Sequence, residues 1–367
     1  QACLMMATEL TPEYPLRAMK YLSRALDALG RAVAPSVRQA LKTLSRHESS
    51  PGHATLLLGD TYRVEEAWSE AASQYRSLKP SETPDVSIQD LRARWDKLLD
   101  HTAEADHALE PARLALEEED IPGTVACLQR AWTRGPEAAD EPILEMLGSL
   151  QERLDADGRI LLTKALLHRG ADEDLRRALP LLTGMLTDEF AARVCPLAEN
   201  LLDKTEADTG LHQKARRLLG RTYLKLQRPD DALGALAPVV DDAAFDAESL
   251  IPLLEETSRQ LDESPEAWCT LGDGYRAEDN TPQALEAYEL AATLDVSKAR
   301  ARDLVGRVYA CTVSDESERL ERYLTAARIW RAANQTTEAR EQLERAWEEL
   351  GREAAAEIAN HAEPLLP

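Results

Sequence analysis

The sequence predicts an all-α fold built from repeated helical units, and three observations carry the prediction. Small and bulky residues return in register about every 53 positions, and a fixed period is the signature of repeat architectures. Between those columns the chain places apolar residues at steps of three and four, as amphipathic helices do. Composition agrees: Ala, Leu, Glu and Arg dominate and Phe occurs twice in 367 residues, which suits helices and leaves no strand signal.

Taken in order, the downstream helix of each unit shows the column as Ala18/Leu22/Ala25, Ala71/Tyr75/Leu78, Thr124/Leu128/Ala131, Ala178/Leu182/Met185, Ala232/Leu236/Val239, Ala284/Tyr288/Ala291 and Ala339/Leu343/Ala346. The upstream helix carries Leu58-Gly59-x-x-Tyr62, Leu219-Gly220-x-x-Tyr223, Trp268-x-x-Leu271-Gly272-x-x-Tyr275 and Tyr323-x-x-Ala326-Ala327-x-x-Trp330. The copy at Ala108, Pro111, Ala112 and Ala115 is eroded, and the one at Leu161, Lys164, Ala165 and His168 needs a one-residue insertion. Each pair reads as helix-turn-helix. Further amphipathic helices are expected at Ser87–Asp100, Glu141–Asp155, Phe190–Lys204, Ala247–Leu261 and Lys298–Ala310, the fourth with Leu250, Leu253, Leu254, Thr257 and Leu261 on one face. The stretches Phe190–Leu197 and Phe245–Leu253 resemble each other, which favours a duplicated three-helix unit over unrelated insertions. Short polar linkers are expected at Glu48–Gly52, Lys79–Asp85, Arg134–Glu137, Asp203–Gly210 and Thr312–Glu316.

The motif Trp268-x-x-Leu271-Gly272-x-x-Tyr275, followed after eight residues by Ala284-x-x-x-Tyr288-x-x-Ala291, resembles the tetratricopeptide repeat. The resemblance implies a right-handed α-solenoid of helix hairpins over residues 1–367. The chain departs from that family in period, since tetratricopeptide units recur every 34 residues and the third helix fills the difference. Gly59, Ala112, Ala165, Gly220, Gly272 and Ala327 stand at the eighth position of the first helix, where small residues are expected to let it approach the Ala or Thr that opens the second. Trp268, Tyr275 and Tyr288 read as core.

Charge and motif content narrow the function classes. A formal charge of −23 argues against DNA or an anionic membrane as a partner, and no run approaches a membrane span. Acidic blocks such as Glu117–Asp120 read as solvated faces. Cys3, Cys127, Cys195, Cys269 and Cys311 form no closely spaced pair and read as free thiols of a reducing, cytoplasmic compartment. The histidines are scattered, so no metal site is expected, and no phosphate loop, nucleophile elbow or dinucleotide fingerprint occurs. The sequence indicates neither an enzyme nor a cofactor.

What remains is a surface for binding. The resemblance implies that positions 2, 5, 9 and 12 of the first helix face a ligand groove. Position 12 holds Arg63, Arg169, Arg276 and Arg331, position 9 adds Arg113, Arg221 and Arg328, and the unit from Gln213 adds Lys214 and Arg217. In so acidic a chain this is a basic stripe, suited to a protein or peptide partner of acidic character. Cations in a helix's last turn also complement its dipole and stay solvated. The family's Lys/Asn clamp for a terminal carboxylate is absent, with Cys269 and Asp273 in its place. The expected role is a protein-interaction scaffold; the alternative is a sensor or regulatory arm whose effector domain lies elsewhere. Both ends cut a unit, so a fragment of a longer protein is expected, and oligomeric state is not legible.

Overall fold

The computed structural model describes residues 3, 5–7, 14–44, 51–79, 83, 85–102, 105–206, 208–240 and 246–362. The chain divides into two compact units, residues 1–171 and 172–367. In the first, α1 (Pro15–Leu29) and α2 (Ala34–Leu44) precede the triplets α3 (Pro51–Val64), α4 (Trp68–Arg76), α5 (Ile88–Leu99) and α6 (Ala105–Glu117), α7 (Ile121–Arg134), α8 (Pro136–Gly148), and α9 (Ala156–Arg169) ends it. In the second, α10 (Asp172–Met185) and α11 (Ala191–Lys204) precede α12 (Thr209–Lys225), α13 (Pro229–Val240), α14 (Ala247–Gln260) and then α15 (Pro265–Ala277), α16 (Thr281–Leu294), α17 (Lys298–Ala310). A last hairpin, α18 (Glu316–Ala332) and α19 (Thr336–Leu350), is followed by α20 (Ala355–Ala362). All described regular structure is helical, and the tetratricopeptide-like hairpin with an inserted third helix is the repeating element.

Four of the five expected third helices lie within a residue or two of their expected bounds. The exception is α8, which runs Pro136–Gly148 rather than Glu141–Asp155. Pro136 stands at its start with φ already fixed for a helix, so the expected linker Arg134–Glu137 shrinks to Gly135. The linkers at Glu48–Gly52 and Lys79–Asp85 lie partly outside the described residues.

Local chemistry sets the boundaries. The side chains of Ser87, Asp120, Asp155, Asp208, Ser264, Ser297 and Asp315 each accept a hydrogen bond from the backbone N–H three residues on, satisfying one of the orphan donors of a helix start. The turns inside the hairpins share another device. Glu66, Glu119, Gln227, Asp279 and Asn334 all have left-handed φ, between 56° and 64°. The amide of the following residue then donates back five residues, as Ala67 does to Tyr62 and Asn280 to Tyr275. That closure satisfies carbonyls at the end of the first helix and reverses the chain.

The third helix is wedged between hairpins, α5 packing on α4 and α6, and α14 on α13 and α15. In the second unit one continuous core runs from Leu236 to Ile358 through Leu250, Leu254, Tyr288, Leu304 and Trp330. In the first, one cluster joins α1, α2 and α3, and a second is built on Tyr75, Leu91, Trp95 and Leu98. The eighth-position glycines meet a different neighbour from the one expected. A Cβ on Gly59 or Gly272 would lie 2.3 Å or 2.5 Å from the Tyr75 or Tyr288 ring, and one on Gly220 2.5 Å from Leu236. The nearest atoms to each glycine belong to the bulky residue two turns into the second helix, one turn beyond the Ala of the column.

Candidate functional site

The polar chemistry of the hairpins begins at that bulky residue. Tyr75 and Tyr288 are fully buried, and a buried phenol needs a hydrogen-bond partner. Tyr75 donates to Asp60 Oδ1 at 2.7 Å and Tyr288 to Asp273 Oδ1 at 2.8 Å. Both carboxylates are buried as well, which demands counter-charge. It comes from two sources. One turn along the same helix, Arg63 reaches Asp60 at 3.6 Å and Arg276 reaches Asp273 at 3.4 Å. From the third helix, Arg94 Nε donates to Asp60 Oδ2 at 2.9 Å, and Arg307 pairs with Asp273 Oδ2.

This Asp–Arg–Tyr–Arg tetrad ties the three helices of a unit together, and it occurs twice at identical spacing: 3, 15 and 34 residues after the Asp. Burial first, and then the neighbouring Asp, hold both phenols far above the ordinary tyrosine range. The sequence contained a signal for it. Wherever the second helix has Tyr, position 9 has Asp (Asp60/Tyr75, Asp273/Tyr288). Where it has Leu, position 9 is never Asp (Ala7/Leu22, Arg113/Leu128, Leu166/Leu182, Arg221/Leu236, Arg328/Leu343).

Positions 5, 6 and 9 of the first helix line a surface cleft in three copies, joined by position 2 at α12 and α15, and each cleft is walled by the second helix of the preceding copy and the copy's own third helix. At α6 the cleft is about 320 Å³ and holds Arg76, Glu110 and Arg113 beside Leu109, Ala138 and Pro142. Glu110 takes both cations, at 3.3 Å and 3.2 Å. At α15 it is about 480 Å³ and crowded with charge: Arg276 and Arg307 on Asp273, Arg307 also on Asp303 at 3.1 Å, and Arg300 on Glu266. Every cation there has a carboxylate.

The α12 cleft, about 280 Å³, differs. Lys214, Arg217 and Arg221 line it with Leu179, Thr183, Leu218, Asp246 and Ser249. Arg217 is held by Asp246 and by Ser249 Oγ at 2.5 Å. Hydrogen bonds from Ser249 and from Arg217 in turn lower the Asp246 pKa. Among the described residues no ion pair holds Lys214 or Arg221, and both are exposed.

The stripe read from the sequence therefore splits. Lys214, Arg217 and Arg221 converge. Arg63 and Arg276 are built into the tetrads, and Arg113 shares Glu110 with Arg76. Arg328 is gripped by Glu321 and by Glu289 at 3.2 Å. Arg169 and Arg331 are exposed in the last turns of α9 and α18. Sequence reasoning missed Arg94, Arg300 and Arg307, because arginines of the third helix read as surface until the fold sets them against position 9 or 2 of the first helix.

Cys127, Cys195, Cys269 and Cys311 are buried free thiols, and desolvation pushes Cys195, Cys269 and Cys311 up to about 11. Among the described residues no cluster of potential metal ligands forms, and no helix is long and apolar enough to cross a membrane.

No protein-family model matches the chain, and no curated protein matches it significantly. Among solved structures it is similar to the assembly chaperone of RpL4, Acl4 (residues 1–338), at 14% identity over 90% of this chain and 99% of that one, with a TM-score of 0.22. The tetratricopeptide domain of P58(IPK) aligns at 13% identity over 99% and 96%, with a TM-score of 0.21. The Naa15/Naa10 complex bound to HypK-THB aligns at 13% over 98% of this chain and 65% of that one, with a TM-score of 0.23. Superpositions at this level carry no argument about shape or partner. The tetratricopeptide-like character rests on the chain's own hairpins, with their small eighth residue, bulky partner and five-residue turn closure.

Proposed function

We propose that this chain is a non-catalytic, cytoplasmic protein-interaction scaffold whose α12 cleft receives an acidic segment of a partner protein. The observation that carries the reading is the convergence of Lys214, Arg217 and Arg221 on one cleft in a chain of charge −23. Arg217 is pre-set by Asp246 and Ser249, so little side-chain freedom is lost when a carboxylate arrives. Lys214 and Arg221 flank it one turn either way and supply the uncompensated charge. Hydrogen bonds to charged groups contribute about 1.5–3 kcal/mol each, and exposed ones are weakened by salt.

The test is fluorescence anisotropy of the full chain with a labelled peptide of alternating Glu and Ser. Binding should weaken as salt rises, and Lys214→Glu with Arg221→Glu should weaken it by about a hundredfold, two lost contacts of that size, while the helical circular dichroism stays unchanged. Equal binding by the double variant would sink the reading. Arg331→Glu, in an exposed last turn outside the cleft, should bind like the parent.

A further inference from the structure

The opposite face of α15 carries a surface of different chemistry. A cleft of about 440 Å³ lies between α14, α15 and α16. Its floor is apolar, formed by Trp268, Leu271, Ala287 and Leu290, and its rim carries Glu255, Asp262 and Glu286. The rim's cation, Arg259, is ion-paired with Glu256. Trp268 is fixed by its indole N–H, which donates to the Asp262 carbonyl at 3.0 Å, and Tyr275 is fixed by its hydroxyl, which donates to Glu255 at 2.6 Å. The apolar strip continues past the cleft. Leu290 is 39% exposed, Leu294 one turn on is 41% exposed, and Val296 is 52% exposed.

Internal repetition shows that this apolarity is local to one unit. Two residues after the bulky member of the second helix stand Ser77, Arg130, Pro238 and Arg345 in other copies, and Leu290 here. Twenty residues before that member stand Thr55, Ala108, Arg216 and Tyr323, and Trp268 here. Folding of the hairpin does not require the pair, since other hairpins form without it. An exposed leucine ladder over a tryptophan-floored cleft with an acidic rim is a surface that excludes water only when something covers it.

We infer that this face docks a basic segment of a partner protein, placing an aliphatic or aromatic side chain on Trp268 and Leu290 and Lys or Arg beside Glu255, Asp262 and Glu286. Charge selects the occupant. An acidic segment is repelled by three rim carboxylates, and a second copy of this chain would bring a net charge of −23 to an acidic rim. This surface is separate from the cation-lined cleft at α12, and neither docking site depends on the other.

The experiment uses the full chain and a fluorescein-labelled twelve-residue probe peptide with two leucines four positions apart and lysines at the remaining charged positions. Two controls replace its lysines by glutamate or its leucines by serine. With the α12 site removed by Lys214→Glu and Arg221→Glu, the basic, leucine-bearing peptide should bind and both controls should bind at least about tenfold more weakly. Leu290→Glu, a surface change, should reduce binding by about tenfold or more. Glu286→Lys should reduce it less and flatten its salt dependence. Lys214→Glu with Arg221→Glu should leave it unchanged, so failure at α12 and failure here are told apart. Equal binding of the acidic and basic peptides by the Lys214→Glu, Arg221→Glu chain, or full binding by Leu290→Glu with native circular dichroism, overturns the proposal. Concentration-dependent dimerisation in sedimentation that Leu290→Glu abolishes would assign the face to a second copy, and also overturns it.

Discussion

The triplets α12–α14 and α15–α17 lie side by side in the sequence, share a glycine at the same position, and differ in what fills the space above it. In the first, Leu236 lies over Gly220; in the second, Tyr288 lies over Gly272. A leucine asks for nothing further, so position 9 is free to be Arg221 and to face the cleft. A tyrosine brings a hydroxyl into a closed core, the hydroxyl requires Asp273, and the buried carboxylate requires Arg276 and Arg307. One oxygen atom thus dictates three further side chains on two neighbouring helices.

The sharpest way to break that comparison is to remove the carboxylate. Asp273→Ala strands two arginines and a phenol in a largely buried site, and breaking a buried ion-paired group costs about 3–5 kcal/mol. Arg221→Ala, at the equivalent position over Leu236, should stay within about 0.5 kcal/mol of the parent. Urea unfolding of both variants measures the difference. Equal effects would mean that the tetrad is a surface ion pair rather than a structural link.

The second expected effect is steric. Gly272→Leu inserts a side chain where even a Cβ would meet the Tyr288 ring at 2.5 Å, and overpacking costs about 1–3 kcal/mol or more where the core cannot yield. Nearest-neighbour coupling in a repeat array confines the loss. Amide exchange should accelerate across α15 and α16 and much less in α12 and α13. Unchanged protection in α15 would count against the role assigned to the glycine.

The contrast between these triplets was half legible in the sequence. The period, the hairpins and most third helices follow from Ala, Leu and Gly columns, because burial on one face repeats with the helix and every copy obeys it. The start of α8 was hidden because Glu137, Asp140 and Glu141 obscure the apolar face that begins at Ala139, and only Pro136 marks its first turn. The arginine stripe was read from position alone, but position does not say whether a cation is paired. Arg276 and Arg221 belong to the same wall of the first helix. Arg276 is paired because Asp273 stands three residues before it, and Asp273 answers the hydroxyl of Tyr288 on the next helix, a non-local fact that shows in one sequence only as the co-occurrence of Tyr with Asp. The left-handed Glu66, Glu119 and Gln227 were illegible as turn signals, since those residue types are not the usual ones for positive φ.

The smallest effect tests the tetrad by pH. Tyr75 and Tyr288 have their ionisation raised well beyond the usual phenol range, chiefly by burial and then by the adjacent Asp60 and Asp273. A group whose folded pKa lies above its unfolded value contributes fully below the unfolded value and loses that contribution as pH rises. The window therefore opens near pH 10, where unfolded tyrosine releases its proton and the folded phenols do not. Above it each retained proton lowers stability by up to about 1.4 kcal/mol per pH unit. Absorbance at 295 nm should show Tyr75 and Tyr288 silent until the chain unfolds, together with Tyr223 and Tyr275, which burial and then Glu199 or Glu255 also hold high, and Tyr288→Phe should remove one silent phenol. That variant should cost about 1 kcal/mol at neutral pH for the lost hydrogen bond, yet fall off less steeply with alkali than the parent. If the two tyrosines ionise in step with exposed phenols while the fold is intact, the hydroxyls are not sealed over Asp60 and Asp273, and the physical reason for the paired Asp and Tyr disappears.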